Sequence, residues 1–183
     1  NIDPNSLKDA IEVIKSKGLI NKLKGIIAVD IFGQPANYDE ISKIAKENNL
    51  WLIADSAQSL GANYKDKNVG QLATMTTTSF FPAKPLGCYG EGGCVFTDSD
   101  EYADLLKSFR IHGKGTHKYD NQRVGTNARL ETIQAAILLE KLAEFPNRDF
   151  IIKCPLVYPK TLNEYREKVI KVGFEKLGTG NCI

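Results

Sequence analysis

From Ser6 to Lys17 apolar residues recur at spacings of three and four (Leu7, Ala10, Ile11, Ile14), which paints one side of a helix. Asn5 or Ser6 can cap this helix and Gly18 ends it. Gly25 to Phe32 then runs almost continuously apolar, the pattern of a strand covered on both faces in a parallel sheet, and Gly33 and Pro35 stop it. The helical spacing returns from Tyr38 to Asn48 through Ile41, Ile44 and Ala45, and Leu50 to Ala54 reads as a second buried strand. Strand, helix and strand within about thirty residues predict a βαβ unit with parallel strands and a right-handed crossover.

Further along, Thr74 to Phe81 and Gly93 to Thr97 are rich in β-branched and aromatic residues and read as strands. Ser99 to Phe109 and Arg129 to Leu142 carry helical periodicity. Asp98 or Ser99 is the N-cap of the first, and Leu130, Ile133, Ala136 and Ile137 are the inward face of the second. After Pro146 the texture changes, and Leu162 to Leu177 reads as one more amphipathic helix behind Pro155 and Pro159, in a tail with no interpretable motif. The fold class expected is α/β, a mostly parallel sheet flanked by helices.

Composition narrows the function classes. A chain of 183 residues with 42% hydrophobic and 25% charged residues can bury one sizeable core and is neither disordered nor a coiled coil. No apolar run reaches the roughly 18 residues of a membrane span. Lys plus Arg at 24 against Asp plus Glu at 22 leaves a net charge of +2, without the broad basic field that nucleic-acid binding draws on. Cys88, Cys94, Cys154 and Cys182 form no CxxC pair, and His112 and His117 complete no zinc spacing, so no metal site is expected. The cysteines read as reduced thiols in a cytoplasmic protein, and the first residues lack the basic and apolar regions of a secretion signal.

In an open α/β sheet, ligands bind beyond the carboxyl ends of the strands. Two segments there carry chemistry: Asp55-Ser56-Ala57-Gln58, and the run from Pro82 to Gly93, in which Lys84 stands between two prolines and four glycines follow. The prolines restrict the backbone on either side of Lys84, while the glycines allow tight turns and close approach of a bound group. An amine in such a partly apolar cleft can attack a carbonyl, and Asp55 at a neighbouring strand end supplies a fixed negative charge. Pyridoxal phosphate asks for those two groups, an amine for its aldehyde and an acid for its ring nitrogen. The same residues also admit a plainer reading, with Asp55 as a helix N-cap and Lys84 as a solvated loop residue. A dinucleotide fold is disfavoured, since no G-x-G-x-x-G follows a first strand.

Seven segments occur in the order found in the DegT/DnrJ/EryC1/StrS family of sugar aminotransferases, which this chain resembles. They are Gly33-Gln34-Pro35, Asp55-Ser56-Ala57-Gln58, Gly61-Ala62, Ser79 to Gly87, Gly90 to Gly93, His112-Gly113 and Gly125 to Ala136. The resemblance implies the fold type I (aspartate aminotransferase-like) architecture, pyridoxal phosphate as cofactor, and amination of a keto group on a nucleotide-linked sugar with glutamate as donor. It implies that Lys84 forms the Schiff base and moves the proton, that Asp55 partners the pyridine nitrogen, that Gln58 contacts the phenolic oxygen and that Ser79 holds the phosphate. Asn127 would reach the phosphate of a neighbouring subunit, making a homodimer part of the mechanism; an Asn in a turn before the following helix is its alternative. Family members with histidine in place of the lysine dehydrate instead, so Lys84 favours transamination.

Within the family, Phe81 to Gly90 and His112 to Arg123 look most like enzymes acting at C3 of a UDP-linked 2-acetamido-3-keto-hexuluronic acid in bacterial surface polysaccharide (lipopolysaccharide, O-antigen) biosynthesis. Lys118, Tyr119 and Arg123 would meet the diphosphate or the sugar carboxylate, with a solvated loop as the alternative. Family members are considerably longer, with a Gly-Thr or Gly-Ser phosphate turn and a ring-stacking aromatic in an earlier segment. Residues 1–146 are therefore expected to be part of the large cofactor-binding domain, and 147–183 an uninterpreted segment. A non-catalytic or truncated relative that binds a nucleotide sugar or a partner chain is the rival expectation.

Overall fold

The computed structural model describes residues 1–117 and 119–145, and all structural statements below refer to these. The expected helix at 162–177 lies outside them.

Helix α1 spans Pro4–Ser16, starting two residues earlier than the periodicity suggested, because Asp3 and not Asn5 or Ser6 is the cap. The Asp3 carboxylate accepts from the Ser6 amide at 2.7 Å, which together with Pro4 in the first turn fixes the start. Gly18, at φ +68°, ends the helix as expected. Strand β1 is Gly25–Val29, shorter than the apolar run, since Ile31–Gly33 winds into a 3-10 turn. Helix α2 (Tyr38–Glu47) starts at Asn37, whose side chain accepts from the Glu40 amide. Strand β2 is Trp51–Asp55 and pairs with β1 in parallel, Val29 opposite Asp55. The strand–helix–strand unit is therefore present.

A small hairpin follows, β3 (Asn63–Tyr64) with β4 (Lys67–Asn68), and then β5 (Met75–Ser79), parallel to β2 with Thr77 opposite Asp55. Strand β6 (Gly93–Phe96) runs antiparallel to β5, placing Gly93 opposite Ser79. The sheet order is β1-β2-β5-β6. Helix α3 (Asp100–Phe109) is capped by Ser99, and α4 occupies Thr132–Glu144.

Ile26, Ala28, Leu52 and Ala54 of β1 and β2 pack with Tyr38, Ile41 and Ala45 of α2 in the larger core. Phe80, Leu86, Cys88 and Leu138 make a second cluster. Two expectations about burial need correction. Strands β1 and β2 are covered on one face only: Ile27 is 58% exposed, and Val29 and Trp51 are also open. On α4 the buried residue is Leu138, whereas Ile133, expected inward, is 73% exposed and Ala136 is exposed too. The Phe80/Leu86/Cys88 cluster packs against this helix on its Leu138 side.

Candidate active site

The carboxyl ends of β1, β2 and β5 lie along one edge of the sheet, and the antiparallel β6 starts there. The loops 30–37, 56–62 and 80–92 therefore all gather at that edge. Side chains alternate along a strand, so the half-buried Asp55, Thr77 and Ser79 share the open face while Ala54, Thr76 and Thr78 point into the core. Asp55 and Ser79 sit on adjacent strands, two residues apart in register, a Cα separation of roughly 8 Å from ordinary sheet spacings.

Each polar group there has one side fixed and one side left. Asp55 Oδ1 accepts from the Ala57 amide at 3.0 Å, an Asx turn. No helix follows, which removes the helix-cap alternative; Oδ2 has no donor among the described residues. The Ser79 hydroxyl oxygen accepts from the Phe81 amide at 3.2 Å, which leaves its proton to donate. Gln58 Oε1 accepts from the Phe32 amide at 2.8 Å, which leaves its Nε2 to donate.

That last contact has a backbone cost. Phe32 holds φ at 57°, the left-handed region that a bulky residue seldom adopts. The neighbouring Gly33 is at φ +81°, where a Cβ would stand 3.1 Å from the Gln58 carbonyl oxygen. Lys84 is half-buried in a turn closed by its own amide to the Phe81 carbonyl at 2.8 Å. Its amine has no hydrogen-bond or ion-pair partner among the described residues.

Beneath this layer lies a group the sequence reading passed over. Asp30, fully buried, receives four donors: the Ala36 amide (2.9 Å) and the Tyr38 hydroxyl (2.7 Å) on Oδ1, the Ser56 (3.1 Å) and Ser59 (2.7 Å) hydroxyls on Oδ2. It ties the loop after β1 to the turn that carries Gln58. A charged residue directly after an apolar strand, Val29-Asp30-Ile31, is the signal that could have pointed to it. Burial, and then the bond to Asp30, push the Tyr38 hydroxyl far above the ordinary tyrosine range, which keeps it a donor. Cys88 is fully buried with its thiol on the Phe80 and Gly90 carbonyls, and burial pushes Cys94 up to about 11.

The remaining residues expected in the site lie on other segments. Asn127 is exposed, bridges to Ile111 after α3, and accepts from Arg129 Nε at 2.9 Å. Arg123 donates to Ser108 Oγ at 3.4 Å, and Tyr119 is 85% exposed. Lys118 is outside the described residues.

The model of the DegT/DnrJ/EryC1/StrS aminotransferase family matches residues 1–169. This chain belongs to that family. It is 46% identical over 145 residues to UDP-2-acetamido-2-deoxy-3-oxo-D-glucuronate aminotransferase of Pseudomonas aeruginosa, covering 79% of this chain and 38% of that protein. A crystal structure of a family aminotransferase from Brucella abortus superposes with a TM-score of 0.76 at 47% identity, over 80% of this chain and 39% of the other. The Escherichia coli GDP-4-keto-6-deoxy-D-mannose-3-dehydratase, solved with bound hydrated pyridoxal phosphate, gives a TM-score of 0.66 at 30% identity, over 80% of this chain and 40% of its own. The chain thus spans about two fifths of the length of these relatives. Its mostly parallel sheet with flanking helices is the fold type I architecture the resemblance implied.

Proposed function

We propose that this chain carries the lysine side of a pyridoxal phosphate site in an aminotransferase that replaces a keto oxygen of a nucleotide-linked sugar by an amine. The supporting observation is the set of unspent groups at one sheet edge. Among the described residues these are the Oδ2 of Asp55, which has no donor, the Ser79 hydroxyl proton on the same face, the Nε2 of Gln58, and the Lys84 amine, which has no partner. An anionic oxygen for a ring nitrogen, a donor for a phosphate, a donor for a phenolic oxygen and a nucleophilic amine form a set of groups that fits the cofactor group by group. When bound, pyridoxal phosphate supplies a carbonyl for an amine and a protonated ring that takes up electrons.

Asp55 acts by fixing a negative charge where a ring nitrogen carries a proton, its other oxygen being held by Ala57. Gln58 orients the ring edge with an amide whose polarity Phe32 has already set. Ser79 donates to the phosphate while the Phe81 amide holds its oxygen in place. Lys84 would be the covalent anchor for the cofactor's aldehyde and, with its amine free, the base that moves a proton at the reacting carbon.

For the substrate, the Pseudomonas aeruginosa protein's name favours a UDP-linked 3-keto hexuluronic acid. Glutamate as donor, a role in surface polysaccharide synthesis, a cytoplasmic location and a homodimer in which Asn127 reaches across belong to the same proposal, as do substrate contacts from Lys118, Tyr119 and Arg123. No described helix is long and apolar enough to cross a membrane.

Pyridoxal phosphate should give a visible absorption band with this chain. Borohydride should then fix the label on the peptide containing Lys84, and Lys84→Ala should abolish both. A label spread over surface lysines, with Lys84→Ala unchanged, would sink the proposal. With the full-length protein, amination of UDP-linked 3-keto and 4-keto sugars separates the substrate classes.

A further inference from the structure

We propose that Gln134 and Lys141 of α4 are positioning residues that set the loop carrying Lys84 against the sheet edge. This rests on the reading of Lys84 given above. Residues 134, 138 and 141 are spaced by four and three, so they form one stripe on the helix. Leu138, in the middle, packs against Phe80, Leu86 and Cys88 at the two ends of the Lys84 loop. The polar residues on either side hold the loop backbone directly.

Gln134 Oε1 accepts the Tyr89 amide at 2.8 Å, and a Cβ at Gly90 would stand 3.1 Å from its Nε2. Lys141 Nζ donates to the Gly87 carbonyl at 2.6 Å and lies 4.3 Å from the centroid of the Tyr89 ring. One cation therefore grips the loop both through its backbone and through its aromatic side chain.

Beyond these contacts, its apolar cluster and the Phe80 amide bonded to the Gly92 carbonyl at 2.8 Å, the remaining backbone hydrogen bonds of the loop are local. Lys84 and Cys88 donate their amides within it, to the Phe81 and Phe80 carbonyls, and Pro82 and Pro85 have no amide to give. Gly87 is wedged so closely against Pro82 that a Cβ would come within 2.5 Å of its carbonyl oxygen, so a pull on Gly87 moves the turn bearing Lys84. The α4 stripe thus fixes where the Lys84 amine stands relative to Asp55 and Ser79.

The test compares Lys141→Met, Gln134→Leu and Lys141→Arg in the full chain, without cofactor, by two readouts. These are amide hydrogen exchange at Cys88 and Tyr89, with Ile53 and Ala54 of β2 as reference, and the rate at which acetic anhydride labels Lys84. Losing a charge-assisted hydrogen bond should speed loop exchange about tenfold in Lys141→Met. The reference amides should hold while the Lys84 labelling rate changes severalfold. Gln134→Leu should act most at Tyr89, and Lys141→Arg, which keeps donor and cation, should restore both readouts. Unchanged loop exchange and labelling, or β2 amides that quicken equally, would overturn the proposal. The cofactor reading fails separately, if the unsubstituted chain gives no Lys84-dependent band; the exchange result stands independently of that outcome.

Discussion

A carboxylate without a neighbouring cation stays in a protein interior when its lone pairs are met by donors. Asp30 reaches that condition with four, from residues 36, 38, 56 and 59, and no Lys or Arg pairs with it among the described residues. Removing it strands all four donors, and breaking a buried charged network typically costs about 3–5 kcal/mol, the expectation for Asp30→Ala. Asp30→Asn should cost less, about 1–2 kcal/mol, because the serine hydroxyls can turn and accept from the new amide while its oxygen keeps Ala36 and Tyr38. Urea unfolding midpoints at an unchanged slope measure both, and equal costs would refute this account. The difference also marks what a sequence can disclose about a residue. Asp55, Gln58 and Lys84 could be picked out because each stands beside a strand end in a distinctive local run, and Ser79 through the family resemblance. Asp30 could be noticed as an odd charge, but its partners lie up to 29 positions away, and only folding names them.

Among the described residues the main helices and strands were legible in existence and order, the small hairpin of β3 and β4 was not, and the face each element buries was less so. Helix α4 carries apolar residues nearly all round, with Ile133, Ala136 and Leu139 on one side and Leu138 on the other. Periodicity could not choose between the sides, and the choice falls to the cluster it meets. Leu138→Ala should therefore cost about 2–5 kcal/mol, while Ile133→Ala should stay within about 0.5 kcal/mol. Chemical denaturation of the two variants checks the contrast, and the reverse order would put the packing face on the wrong side. Strand β6 teaches a related point. Its composition announced a strand but not its direction, which follows from its connection: residues 80–92 are a loop with no crossover helix, so the chain returns antiparallel and delivers Gly93 beside Ser79.

At the scale of the whole molecule, the chain spans about two fifths of the length of its relatives, and the sheet leaves open the face on which Asp55, Thr77 and Ser79 stand. The apolar run at β1 was legible as a strand. That one of its faces would be open was not, since an Ile at position 27 looks the same in a sequence whether or not anything covers it. An open, half-buried site couples to global stability in a measurable way, because a ligand that binds only the folded chain raises its unfolding free energy. At about a hundred times its dissociation constant the gain is about 2.7 kcal/mol. A chain of this size gains roughly 2–4 °C of melting temperature per kcal/mol, so pyridoxal phosphate should raise the midpoint by roughly 5–11 °C. Asp55→Ala and Ser79→Ala touch only local turns, through the Ala57 and Phe81 amides, and should each shift the ligand-free midpoint by the equivalent of about 1 kcal/mol or less. Both should nevertheless lose most of the ligand-induced rise, as should Lys84→Ala. A rise that survives in all three variants would mean that the cofactor stabilises the fold from somewhere other than this sheet edge.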